Sequence, residues 1–221
     1  MNDTQKAWFV TGTDTEVGKT FVACALLHAL RQSGRTVVAM KPVAAGFDAQ
    51  GRNEDVERLL AASSFALERR LINPYGFHAA IAPHIAAREE GVTIELADIV
   101  ERFEELRSLA DIVVVEGVGG FCVPLDETHD TAELAVRLGL PVLLVVGMRL
   151  GCLNHALLTQ QAIAANGLSL GGWVANRIDP AMSRFAENLR TLQSRLKAPL
   201  LGVVEHGTTP EEAARTLRIP G

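Results

Sequence analysis

The residues able to do chemistry gather first in one stretch, Gly12-Thr13-Asp14-Thr15-Glu16-Val17-Gly18-Lys19-Thr20. The apolar run Trp8-Phe9-Val10 before it reads as a strand, and Phe21 to Arg31 after it carries apolar residues at helical spacing, with Gly34 as a stop. Strand, glycine-bounded loop and helix, in that order, are the context of a phosphate-binding loop. Its inward N–H groups and the positive end of the helix attract phosphate, Lys19 adds a full charge, and the Thr20 hydroxyl is placed for Mg²⁺. The usual pattern has four residues between its glycines, whereas Gly12 and Gly18 enclose five. Either Thr13 takes the first glycine's place or the loop is one residue longer. The chain is expected to bind a nucleotide.

Two further positions carry charge where such a loop can use it. Lys41 follows the buried run Thr36-Val37-Val38-Ala39-Met40 and is locked by Pro42. A pure ATPase needs one phosphate-facing ammonium. A second beside Lys19 suits a reaction in which another anion meets the γ-phosphate, as in acyl-phosphate or carbamoyl-phosphate formation. Glu116 closes the β-branched run from Asp111 to Val115, where phosphate-loop enzymes carry an acidic residue near Mg²⁺. Gly117, Gly119 and Gly120 behind it let backbone approach a ligand. Asp55, taken alone, is an acidic residue near a helix start. Gly151-Cys152-Leu153-Asn154-His155 opens a helix whose free N–H groups could hold a carboxylate, although Asn154 also reads simply as a cap. The six histidines lack metal-ligand spacing, and the three cysteines form no Cys-x-x-Cys pair.

The elements that must position these groups alternate along the chain. Strands are expected at 36–40, 111–115, 142–146, 171–175 and 200–204. Helices are expected at 54–62, 83–90, 94–109, 131–138, 156–165, 183–196 and 210–217. The stretch from Val43 to Asn53 reads as loop, and Asn73 to Gly76 as turn. Continuous apolar strands between helices predict an α/β fold, a single domain over 1–221 with a mostly parallel sheet and helices on both faces. In such sheets ligands sit beyond the carboxyl ends of the strands, which draws Asn176-Arg177 and Glu205-His206 into the candidate set. The net charge of −5, with both signs interspersed, points away from nucleic acid and anionic membrane. The polar start Met1 to Lys6 lacks a signal-peptide core, and the longest apolar run, Leu138 to Met148, is too short to span a bilayer. A cytoplasmic protein is expected.

Taken together, these blocks resemble dethiobiotin synthetases. Phe9 through Thr20 carries the resemblance, with Lys41-Pro42-Val43-Ala44, Asn73-Pro74-Tyr75, Ala82-Pro83-His84, Glu116 through Gly120, Leu150 through His155 and Gly172 through Asn176. The blocks run in family order over nearly the whole chain. The resemblance implies a P-loop NTPase-like fold and a reaction joining CO2 to 7,8-diaminopelargonic acid with ATP and Mg²⁺. A carbamate forms on one amine, its oxygen takes the γ-phosphoryl group, and the second amine closes the ureido ring. It implies Lys19 and Lys41 as catalytic cations and Thr20, Asp55 and Glu116 as Mg²⁺ positions. It also implies nucleotide contacts from Glu16, Val17, Gly18, Phe21, Gly117, Val118, Gly119, Asn176 (the adenine position), Arg177, Glu205 and His206. Thr15, Lys41, Ala45 and Gly151, Cys152, Leu153 and Asn154 are implied substrate contacts, the last four from the other subunit of a homodimer.

This chain departs from that pattern twice. Ala45 stands where the family commonly has a serine, and Val204-Glu205-His206 replaces a segment that typically reads Ile-Pro and encloses the base. Three other readings compete. A partition- or septum-positioning ATPase carries a second lysine where this chain has Asp14. A cobyrinic acid amide synthase needs a glutaminase domain for which 221 residues leave no room. A non-catalytic binding module has only Ala45 as its hint.

Overall fold

The computed structural model describes residues 6–219, and the polar start read above from Met1 lies outside them apart from Lys6. Six strands form one sheet: β1 (Lys6–Gly12), β2 (Val37–Met40), β5 (Ile112–Glu116), β6 (Val142–Gly147), β7 (Leu170–Asn176) and β8 (Leu200–Val204). Their spatial order is β2-β5-β1-β6-β7-β8, and every pairing in it is parallel. Two three-residue strands, β3 (Val43–Ala45) and β4 (Tyr75–Phe77), make a second parallel pair. They correct the expected loop from Val43 and the expected turn at Asn73–Gly76. Asn73 Nδ2 donates to Lys41 O at 2.7 Å and Tyr75 O at 3.1 Å, and the Tyr75 N–H donates to Pro42 O, so the chain pairs again directly after Pro42.

Alternation along the strands sorts the helices onto two faces. Trp8 and Val10 pack with α1 (Lys19–Gln32), α2 (Glu54–Ala62) and α9 (Pro210–Ala214). Ala7 and Phe9 face α4 (Pro83–Glu89), α5 (Leu96–Leu109) and α6 (Thr131–Leu138), with the short α3 (Arg69–Ile72) beside them. Leu144, Val146, Trp173 and Ala175 pack under α7 (Cys152–Ala165) and α8 (Phe185–Arg195). Strand burial is complete in β2, β5 and β6, as near-continuous apolar runs demand. Helix α7 begins at Cys152 with Gly151 as its cap (φ 98°), so Asn154 lies inside the first turn and is not the cap. Helix α5 starts at Leu96, two residues later than the apolar spacing suggested. Among the described residues no helix is long and apolar enough to cross a membrane.

Candidate active site

Inner strand β1 ends at Gly12, and the chain turns there into the loop that opens α1. The Thr13 N–H donates to Val145 O at 3.0 Å, tying the start of the loop to β6. Glu16 (φ 59°) and Gly18 (φ 86°) are both left-handed within the turn from β1 into α1. A Cβ on Gly12 would lie 2.6 Å from Val17 Cγ2, and one on Gly18 would lie 2.1 Å from Asn176 Nδ2. Asp14, the position of the lysine in switch ATPases, pairs with Arg149 at 2.5 Å, and its carbonyl accepts from Lys19 Nζ at 3.3 Å.

Four elements then bring charge to one point. Thr20 from α1, Lys41 after β2, Asp55 from the first turn of α2 and Glu116 at the end of β5 meet around one carboxylate oxygen. Glu116 Oε1 accepts from Thr20 Oγ1 at 2.7 Å and from Lys41 Nζ at 2.5 Å, while Lys41 Nζ also reaches Asp55 Oδ2 at 3.0 Å. Glu116 is fully buried and its Oε2 has no hydrogen-bond partner. Burial disfavours the Lys41 ammonium, but the charges of Glu116 and Asp55 outweigh it and hold its pKa above the ordinary value. Lys19 is shifted the other way, by burial first and then by the nearby Lys41 charge. Burial works against ionised Asp55, yet Lys41 and the Thr20 hydroxyl bring its pKa below the usual carboxylate value.

Neighbouring residues fix these side chains. The Lys41 N–H donates to Ile72 O at 2.9 Å and its carbonyl accepts from Asn73, so its backbone is held on both sides. Asn53 caps α2 by accepting from the Val56 N–H at 3.2 Å, and its Nδ2 donates to Ala45 O at 3.0 Å. That one amide sets Asp55, two residues on, against the end of β3.

Thr20, Lys41 and Asp55 line a cavity of about 680 Å³, and Glu116 is buried behind them. Of the expected site residues, Thr15, Glu16, Gly18, Lys19, Thr20, Phe21, Lys41, Ala45, Asp55, Val118 and Gly119 line it. Sequence reading missed Arg58, Ala80, Ile81 and Val123 on its wall. Arg58 sits one turn after Asp55, a helical spacing that could have revealed it. Ala82 and Pro83, quoted only as part of the resemblance, line it too. Phe21 and Arg58 also border a second cavity of about 440 Å³, which reaches Thr208 and Glu211.

The remaining expected residues lie elsewhere. Asn176 is buried behind the loop, and its Nδ2 donates to Val17 O at 2.9 Å. Arg177 pairs with Glu205 at 3.1 Å and lies 4.8 Å from the Phe185 ring centroid, so these two charges are engaged with each other beside His206. Gly117 is buried under the Glu116 turn. Gly151 and Asn154 are exposed at the start of α7, Leu153 is partly buried, and the Cys152 side chain is turned into the core.

A parallel sheet with helices on both faces, a phosphate-binding loop after an inner strand and two buried lysines in one cavity define a P-loop NTPase-like nucleotide-binding protein. A family model described as an AAA domain matches residues 6–212. The chain is 61% identical to the ATP-dependent dethiobiotin synthetase BioD of Aromatoleum aromaticum, with 98% of each chain covered. It is 57% identical to that of Nitrosospira multiformis, with 91% of this chain and 88% of the relative covered. The chain belongs to the ATP-dependent dethiobiotin synthetase family. Solved structures with the same fold include MinD of Aquifex aeolicus (TM-score 0.57, 16% identity, 95% of this chain and 86% of that one). Another is the septum site-determining protein MinD of Pyrococcus horikoshii complexed with Mg-ADP (TM-score 0.53, 18% identity, 95% and 84%). At such identity the likeness shows the fold alone.

Proposed function

We propose that this chain is an ATP-dependent dethiobiotin synthetase acting on 7,8-diaminopelargonic acid and CO2. CO2 adds to one substrate amine to give a carbamate. A carbamate oxygen attacks the γ-phosphorus of ATP, and ADP leaves. The second amine attacks the carbonyl carbon of the resulting carbamic–phosphoric anhydride, and the ureido ring closes as phosphate departs. The observation that carries this reading is a second lysine, Lys41, only 3% exposed, in the same cavity as the loop lysine. Hydrolysis alone needs one cation at the phosphates. Joining two anions, carbamate and triphosphate, needs their repulsion neutralised on both sides.

Lys19 and the loop N–H groups would hold the triphosphate, and Lys41 would face the carbamate. Thr15 and Ala45 would border the diamine, and Val118 the nucleotide. Asn176, Arg177, Glu205 and His206 would surround the base on the far side of Gly18. The donor set fits a hard divalent cation: Thr20 Oγ1, Asp55 and Glu116 supply oxygen only, and Glu116 Oε2 is a buried acceptor without a partner. Among the described residues no three His, Cys, Asp or Glu side chains form a ready metal cage, and Mg²⁺ bound largely through substrate phosphates requires none. When bound there, Mg²⁺ would neutralise charge on the phosphates being separated. The family resemblance further supports a homodimer whose partner offers the 151–154 segment to the substrate.

The test is phosphate release from ATP with Mg²⁺ and bicarbonate, with and without the diamine, followed by product mass. Release that depends on the diamine and yields a cyclic urea is the expected result. Diamine-independent hydrolysis would favour a switch ATPase and overturn the reading.

A further inference from the structure

Lys41 stands on the same two carboxylates that the proposed metal group uses. We propose that its ammonium is an internal counter-cation, holding Asp55 and Glu116 until a metal–nucleotide complex displaces it, and so keeps free divalent cations out of the site. The inference rests on reading Thr20, Asp55 and Glu116 as the metal group.

Lys41 already occupies one oxygen of each carboxylate. Lys41 Nζ lies 2.5 Å from Glu116 Oε1 and 3.0 Å from Asp55 Oδ2. The same Glu116 oxygen already takes the Thr20 hydroxyl. A metal ion drawing on these oxygens would meet the ammonium at contact distance, where two positive charges repel strongly in a buried site. Glu116 cannot be left bare either, because it is fully buried. Exchange of one cation for another keeps a positive charge against Glu116 throughout.

Only the Lys41 side chain has to move. The Lys41 backbone is fixed by Ile72 and Asn73, but its four-carbon stem opens onto the cavity. Displaced from Glu116, the ammonium stays in the space bordered by Thr15, Ala45 and Val118, where the proposed carbamate lies. A bare ion must oust Lys41 with nothing to receive it. A metal–nucleotide complex brings the anions that do, so metal entry is coupled to nucleotide entry.

The experiment measures Mn²⁺ binding to the intact nucleotide-free protein by loss of the free-ion electron paramagnetic resonance signal. Wild type is expected to bind Mn²⁺ weakly. Lys41→Met, which keeps the stem and removes the charge, should bind at least about tenfold more tightly. Lys19→Met removes a nearby charge that touches neither carboxylate and should change affinity by less than about threefold. Lys41→Gln gives a second removal, and Lys41→Arg, which keeps the charge, should keep Mn²⁺ binding weak. Melting curves supply an independent readout: Mg²⁺ alone should raise the midpoint of Lys41→Met and leave wild type unmoved. Equal tightening in the Lys41 and Lys19 variants, or none in either Lys41 variant lacking charge, overturns the proposal. The metal reading is checked separately with Mn²⁺–ADP and Glu116→Gln. If that variant binds Mn²⁺–ADP as wild type does, the metal group is wrong and the proposal falls with it. If it loses binding while Lys41→Met fails to tighten, only the role of Lys41 falls.

Discussion

At the scale of single residues, the two site lysines differ in a way that pH exposes. Lys19 is disfavoured as a cation by burial and by Lys41, whereas Glu116 and Asp55 overcome burial at Lys41. A raised pKa means that the contribution of the Lys41 ion pairs is complete below the unfolded value and is lost only as pH rises through the folded one. A lowered pKa means that Lys19 gives up its proton first. Competitive amine labelling of the nucleotide-free protein across alkaline pH should show Lys19 becoming reactive before Lys41. The reverse order would contradict the cluster. Ala45 gives a second prediction, since it borders the cavity where the family carries a hydroxyl. Ala45→Ser should improve kcat/KM for the diamine by about two- to tenfold, the worth of one hydrogen bond. Unchanged kinetics would mean that the hydroxyl finds no partner here. Lys19, Thr20, Lys41 and Glu116 were legible in the sequence because each directly follows a hydrophobic strand or glycine turn. Asp55 was not legible alone, because its role depends on the Asn53 amide joining α2 to Ala45, a contact across the chain that leaves no periodic trace.

At the scale of elements, one side-chain amide ties α2 to β3 and another ties the phosphate-binding loop to β7. Asn53→Ala removes the α2 cap and the tie to β3 together. A lost cap costs about 1 kcal/mol, which for a domain of this size lowers the melting midpoint by roughly 2–4 °C. Because Asp55 lies in that first turn, Mg²⁺–nucleotide affinity should fall as well, and an unchanged affinity would detach α2 from the site. Gly18→Ala forces a side chain into a φ of 86° and against Asn176 Nδ2. It should abolish measurable nucleotide binding by calorimetry while the circular dichroism of the sheet persists; retained affinity would show that the loop need not close on Asn176. The six strands of the main sheet were readable because each is a nearly continuous apolar run, and β2, β5 and β6 are buried along their whole length. Strands β3 and β4 were not, since three residues are too few to show alternation and Gly76 and Pro74 signal a turn. The start of α7 was blurred because Gly151, a poor helix former, is its cap.

At the scale of the whole molecule, the fold does not choose the function, since MinD proteins share it at 16–18% identity. What separates this chain lies around Asp14, which is spent on Arg149 and thereby links the phosphate-binding loop to the start of α7. Leu150, 97% exposed, lies just before that helix, and Asn154 and the 55% exposed Leu158 share one of its faces. One exposed leucine is unremarkable, but two flanking the segment that carries the implied substrate contacts suit an interface with a second copy. A partner seated there would press on the segment that Arg149 ties to the loop, so assembly and nucleotide handling would be joined mechanically. Light scattering should give a dimer for the wild type. Leu150→Asp with Leu158→Asp should give a folded monomer, with diamine-dependent phosphate release reduced at least about tenfold. A monomeric wild type, or a fully active monomeric variant, would place the whole reaction within one chain and remove the 151–154 segment from the site.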